Sequence, residues 1–203
     1  LARAVKALKR CAGPGIYGGR TIITDQNLKP LRSSLMFRRE PSFGNALVQN
    51  IAGGNTMVVN RPALDILQPA SRYADEIIAH DWWCYQMVTG TGGKMIYDEE
   101  PCLLYRQHAC NQIGTNDSVT ATLERIKLLF QGQFANWTSR QSAALIKSRR
   151  WMSSSAMKQL NLFIRSRSYG PLSRILLLRS SGIVRQTRRG TLMLWLAAGL
   201  GRL

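Results

Sequence analysis

Two short runs contain both histidines of the chain, and both are dense in groups able to do chemistry: His80-Asp81-Trp82-Trp83 and Tyr105-Arg106-Gln107-His108. A carboxylate held at the start of a helix can take a proton from a hydroxyl. A neutral imidazole is a good metal ligand. Each run also has a plain structural reading. Asp81 suits a helix N-cap, with Trp82, Trp83 and Tyr85 as core residues behind it, and His108 suits the surface after a strand. His108 and Cys110 alone make a poor zinc site, because nothing near them completes a ligand set. The acidic turn Asp98-Glu99-Glu100 gathers carboxylates but reads as a solvated strand turn. On residue types alone the structural reading of each run stands.

The elements that must position these groups follow from periodicity and punctuation. Leu1–Arg10 reads as a helix already under way, with no capping residue before it, so the chain is expected to be a fragment. Ile16–Thr24 is a predicted strand, followed by the polar turn Asp25-Gln26-Asn27, and 33–37 is a second short strand. Ser42 is placed to cap a helix over Phe43–Gln49. Gly53-Gly54-Asn55 leads into a β-branched run at Thr56–Val59, and Pro62 suits the first turn of the helix that follows. Asp81 opens an aromatic-rich helix that ends near Gly90–Gly93. Lys94–Tyr97 and Cys102–Tyr105 read as two strands around an acidic turn. The alternation is that of an α/β domain.

The order of the motifs says more than any one of them. Gly54-Asn55-Thr56-Met57, His80-Asp81-Trp82-Trp83, Asp98-Glu99-Glu100-Pro101 and Tyr105-Arg106-Gln107-His108 occur in succession. The series resembles bacterial family 2 glycosyltransferases, in particular rhamnosyltransferases, over about residues 1–115. The resemblance implies the C-terminal part of a GT-A domain (Rossmann-like, with a mixed sheet), followed by a basic α-helical tail. It implies an inverting transfer of a sugar such as rhamnose from a nucleotide-sugar donor to a polysaccharide or lipid-linked acceptor. It places the catalytic base at Asp81, and Arg106 and His108 at the donor diphosphate. Gly53, Gly54, Asn55, His80, Trp82 and Trp83 fall on the acceptor and sugar side. A divalent cation, Mg or Mn, is implied as well, with His108 as one ligand. No paired Asp-x-Asp precedes Gly53, so most metal ligands and the donor half are expected upstream of Leu1.

Charge divides the chain. The net charge is +17, which calls for an anionic partner. Residues 1–117 carry 13 Lys/Arg and 10 Asp/Glu, whereas residues 118–203 carry 15 Lys/Arg and the single acid Glu124. The split suggests two regions with different jobs: the resemblance implies that residues 1–117 are the acceptor-side half of a transferase domain, and residues 118–203 read as a basic helical region. Leu123–Phe130, Ala143–Lys147, Met157–Ile164, Leu172–Leu178 and Leu192–Leu200 are its predicted helices. The longest apolar run, Leu192–Leu200, is far short of the ~20 residues that span a bilayer. Arginines alternating with leucines, together with Trp195, suit a segment lying on an anionic membrane surface. The expectation is a cytoplasmic protein, peripheral on the inner face of the cell membrane, with residues 170–203 as its contact. No nucleic-acid partner is expected, since no recognised fold or stacking groove accompanies the charge. A basic nucleic-acid-binding module and a non-catalytic glycosyltransferase-like scaffold are the rival functions. The four cysteines lack a CxxC pair or a secreted spacing and read as reduced thiols.

Overall fold

The computed structural model describes residues 1–106 and 131–203. Within them the chain forms helix α1 (Ala2–Leu8), strand β1 (Gly15–Thr24), strand β2 (Pro30–Ser33) and a single helical turn α2 (Phe43–Ala46). Strand β3 (Val58–Val59), helix α3 (Arg61–Ala70), helix α4 (His80–Gly90) and strand β4 (Lys94–Arg106) follow. The second segment contributes α5 (Gln133–Lys147), α6 (Ser154–Ser166), α7 (Pro171–Ser180) and α8 (Arg188–Gly199). The described part is a mixed α/β fold.

β1 is the centre of a four-stranded mixed sheet. β4 runs parallel to it along its whole length, from Gly15 opposite Lys94 to Thr24 opposite Arg106. The other edge of β1 is shared by two short antiparallel strands, β3 against Ile16 and Tyr17 and β2 against Ile22 to Thr24. The parallel pairing explains why β4 is one strand where two were expected. Extended backbone resumes in register on both sides of the acidic segment, and only Arg20 stands between the residues facing Asp98 and Leu103. The extra β4 residues are taken up as an irregularity that leaves the pairing intact.

Other boundaries move for local reasons. The second strand is Pro30–Ser33 and not 33–37, because the preceding turn reverses the chain early. The Asp25 carboxylate accepts from the backbone N–H of Asn27 at 2.9 Å and of Lys29 at 2.8 Å. Ser42 does cap a helix, accepting from Asn45 N–H at 3.2 Å, but that helix is one turn and not seven residues. Asn60 caps α3 through Ala63 N–H and also holds Gly15 N–H at 2.9 Å, which ties the helix start to the first residue of β1. Residues 54–56 form a 3-10 turn, so the strand expected from Thr56 begins at Val58. The helix expected over Leu123–Phe130 lies outside the described residues.

One buried apolar cluster draws on both segments. Ile16, Trp83 and Tyr85 from the first meet Leu145, Phe163 and Leu178 from the second. Buried polar groups join them too. Asn45 donates to Val184 O at 3.0 Å, Gln186 N–H donates to Gln49 at 2.8 Å, and Gln141 donates to Gln86 at 3.2 Å. A smaller cluster of Ala4, Leu8 and Tyr17 seats α1 on the sheet.

Gly18 marks the tightest packing against β1. A Cβ there would stand 2.4 Å from Ala52 Cβ and 2.9 Å from Met95 Cε. Gly18→Ala is expected to cost about 1–3 kcal/mol through overpacking, read as a lower urea midpoint at unchanged slope. A wild-type midpoint would mean that the segment at Ala52 can retreat freely.

Candidate active site

Asp81 sits in the first turn of α4. The helix starts one residue earlier than expected, at His80, with Ala79 as its cap residue, so Asp81 is not the cap. Its carboxylate is nevertheless held by backbone. Oδ1 accepts from Trp82 N–H at 2.7 Å, and Oδ2 accepts from Gly54 N–H at 3.0 Å. The second of these joins two motifs 27 residues apart. A carboxylate oxygen has two acceptor positions, so one remains on each oxygen for an incoming hydroxyl. Asp81 is half-buried, which leaves that side within reach of solvent.

The loop that meets Asp81 is fixed from below. Thr56 Oγ1 donates to Gly53 O at 2.9 Å and accepts from Gly19 N–H of β1 at 3.3 Å. Gly53 and Asn55 are exposed on either side of Gly54. The exposed His80 ring lies directly over Gly54, where a Cβ would come within 2.4 Å of its Nε2. Gly54 thus allows backbone, imidazole and carboxylate to converge. The structure brings together Gly53, Gly54, Asn55, His80 and Asp81.

Trp82 and Trp83, expected on the sugar side, are 7% and 3% exposed. Trp82 Nε1 donates to Ala46 O at 2.6 Å, and Trp83 belongs to the main core. Their indoles anchor the start of α4 and present no face to a ligand. Tyr85 is buried one turn further on and exchanges hydrogen bonds with Ser42, and burial pushes its hydroxyl well above the ordinary tyrosine value. The Cys84 thiol is pushed up to about 11, first by burial and then by the charge of Asp81. Arg106 is the last residue of β4, opposite Thr24. His108 lies outside the described residues.

Sequence reasoning left Asp98 as a solvated turn residue, and the structure corrects this. Its side chain is 15% exposed. It accepts from the Tyr17 hydroxyl, from Arg3 Nε at 2.7 Å and from Glu100 N–H at 3.0 Å. Desolvation pushes its pKa upward, but the hydrogen bonds from Tyr17, Glu100 and Arg3 outweigh that and hold it below the ordinary 3.8. No sequence signal joins Arg3 to a residue 95 positions away. Because the folded pKa is depressed, the stability Asp98 contributes is complete above the ordinary value and lost as pH falls through the folded one. Asp98→Asn should therefore lower the melting temperature at pH 7, with the gap to wild type closing below about pH 3–4. A gap that does not change with pH would reject the charge-based account.

Arg3 and Tyr17 also line an open cavity of about 470 Å³, with Asn55, Thr56, Pro101 and Cys102 on its walls. Asp81 and Gly54 are not among the residues that line it; Gly54, which holds Asp81, directly precedes the lining residue Asn55 in the chain. No group of three His, Cys, Asp or Glu able to hold a metal occurs among the described residues. Cys11, Cys84 and Cys102 are free thiols.

The described residues form a mixed α/β protein with a backbone-held carboxylate at a helix start, beside a glycine turn. Comparison with known proteins gives a partial likeness. The chain is 38% identical over 56 residues to the dTDP-rhamnosyl transferase RfbG of Shigella flexneri. The match covers 28% of this chain and 19% of that protein. It supports a glycosyltransferase-like relationship over part of the chain. No protein-family model and no solved structure matches.

Proposed function

We propose that the chain is the acceptor-side part of an inverting glycosyltransferase of GT-A type, with Asp81 as the catalytic base. The observation that carries this is the hydrogen bond from Gly54 N–H to Asp81 Oδ2, which aims a half-buried carboxylate at the mouth of the glycine turn. In the transfer, Asp81 takes the proton of the acceptor hydroxyl. The freed oxygen attacks the anomeric carbon, and the bond from that carbon to the donor diphosphate breaks with inversion. Gly53 and Asn55, exposed beside Gly54, and His80 above it are placed to meet the acceptor or the sugar.

The finer parts of the proposal follow the resemblance. The donor is a nucleotide sugar, with rhamnose as the sugar that the partial likeness favours. The acceptor is a glycan or lipid-linked saccharide. The resemblance assigns Arg106 and His108 to the donor diphosphate, a guanidinium and an imidazole being suited to its charge. A divalent cation, Mg or Mn, would stabilise the same leaving charge when bound. Residues 1–117 carry the transfer site and residues 118–203 the basic helical region. The test is transfer of labelled sugar from dTDP-rhamnose and other nucleotide sugars to membrane-extracted glycan acceptors, with nucleoside diphosphate release as second readout. Failure of the intact protein to transfer from any nucleotide sugar would reject the reading.

A further inference from the structure

No helix among the described residues is long and apolar enough to cross a membrane. Yet the last two helices expose apolar surface that an ordinary surface helix would bury. Leu172 and Leu176 stand one turn apart on α7, and Leu192 and Leu196 on α8 are followed at the same four-residue spacing by its C-cap residue Leu200. All five are between 55 and 79% exposed. Each stripe lies away from the buried residues of its own helix, Leu178 on α7 and Leu194, Ala197 and Ala198 on α8. An i, i+4 spacing puts each set on one helix face.

The hairpin that presents these stripes is held firmly. Arg174 of α7 donates to Ala198 O near the end of α8 at 2.5 Å, and to Arg167 O and Tyr169 O before α7 at 3.0 and 2.8 Å. The first turns of α7 are thereby clamped to the last turn of α8, and Arg174 is spent on structure. Trp195 is half-buried, and its indole N–H is buried with no hydrogen-bond partner among the described residues, so that N–H is not turned to solvent. Arg179 follows Leu176 by three residues, Arg188 and Arg189 precede Leu192, and Arg202 follows Leu200. All four arginines are exposed. Residues 131–203 contain no Asp or Glu at all.

We propose that the exposed leucine stripes of α7 and α8 dock on an anionic lipid bilayer, with the leucines in the acyl–headgroup boundary and the arginines at the phosphates. Charge complementarity selects this occupant. A second copy of the chain seated on the same face in a two-fold pair would bring arginine against arginine, with no acid in residues 131–203 to neutralise them. A bilayer surface offers both apolar depth and negative charge. The proposal goes beyond sugar transfer and does not depend on it, because binding is read without donor or acceptor.

The experiment is co-sedimentation of the intact chain with phosphatidylcholine vesicles and with vesicles containing phosphatidylglycerol. Binding is expected to the second and to fall as salt rises, since screening shortens from about 10 Å at 0.1 M to about 3 Å at 1 M. Leu172→Ser/Leu176→Ser/Leu196→Ser and Arg179→Gln/Arg188→Gln/Arg189→Gln should each lower binding by about tenfold or more. These side chains are exposed, so circular dichroism and melting should be unchanged. If the serine variant unfolds, the alanine set takes its place. Wild-type binding by the leucine variant, or equal binding to neutral and anionic vesicles, overturns the proposal. So does absent vesicle binding, whether or not ultracentrifugation shows a dimer that the leucine variant abolishes.

Discussion

Asp81→Asn is expected to lower transfer by about 10²–10⁴-fold, the range over which a positioned general base contributes. Both carboxylate oxygens accept a backbone N–H, from Trp82 and from Gly54. An amide has one acceptor oxygen, so the variant also sets a donor against a donor. That local cost is about 1–3 kcal/mol, a loss of stability and not of turnover in molecules that remain folded. The measurement is therefore turnover per folded molecule, with melting curves run beside it, and donor binding by the intact protein as a separate readout. Turnover should collapse while nucleotide binding persists. Wild-type turnover would remove Asp81 from the mechanism and turn attention to Asp75 and Glu76, which are exposed just before α4.

The second large effect is expected far from the site. Phe163 on α6 is fully buried in the same cluster as Ile16 of the central strand and Trp83 of the helix that carries Asp81. Phe163→Ala should cost about 3–5 kcal/mol, a large part of the ~5–15 kcal/mol that holds a typical domain together. The fluorescence of the first-segment tryptophans and the helical circular dichroism should still melt in one coincident transition. Two separate transitions, with only the second lowered by the substitution, would show that residues 131–203 fold as an independent unit.

Local chemistry was legible along the chain wherever a side chain acts on its own neighbourhood. Ser42 and Asn60 cap the turns that follow them, Pro62 stands in a first helical turn, and β1, α6, α7 and α8 lie within a few residues of where β-branched or 3.6-period patterns put them, whereas α5 starts at Gln133 and not at the expected Ala143. The turn at Asp25 was equally readable as a turn. Its effect on the next strand was not, because that depends on which backbone N–H groups the carboxylate reaches.

The candidate site was legible only as an ordered series of motifs. His80-Asp81 and Gly54 could be singled out by residue type, but the hydrogen bond between them exists because α4 and the 54–56 turn are packed on the same strand. Trp82 and Trp83 read as core residues by type and as sugar-side residues by resemblance, and the position of α4 against Ala46 and the central cluster buries them in the core. Composition alone could not tell a solvated Asp98 from one enclosed by Arg3 and Tyr17, since those partners are brought in by the parallel pairing of β1 and β4 and by the seat of α1.

By itself the sequence determined the local events: where helices are capped, where the chain turns, which residues can accept a proton, and how strongly the second half is charged. Each depends on atoms a few residues apart, so the pattern suffices. The tertiary structure decided the rest: one continuous β4, a core shared between the charge-mixed first segment and the basic second one, an Asp81 held by Gly54, and five leucines left outside on α7, on α8 and at its C-cap. Those outcomes depend on which faces meet. Helical periodicity can define a face, but whether another element covers it is settled only when the whole chain competes for the same buried surface.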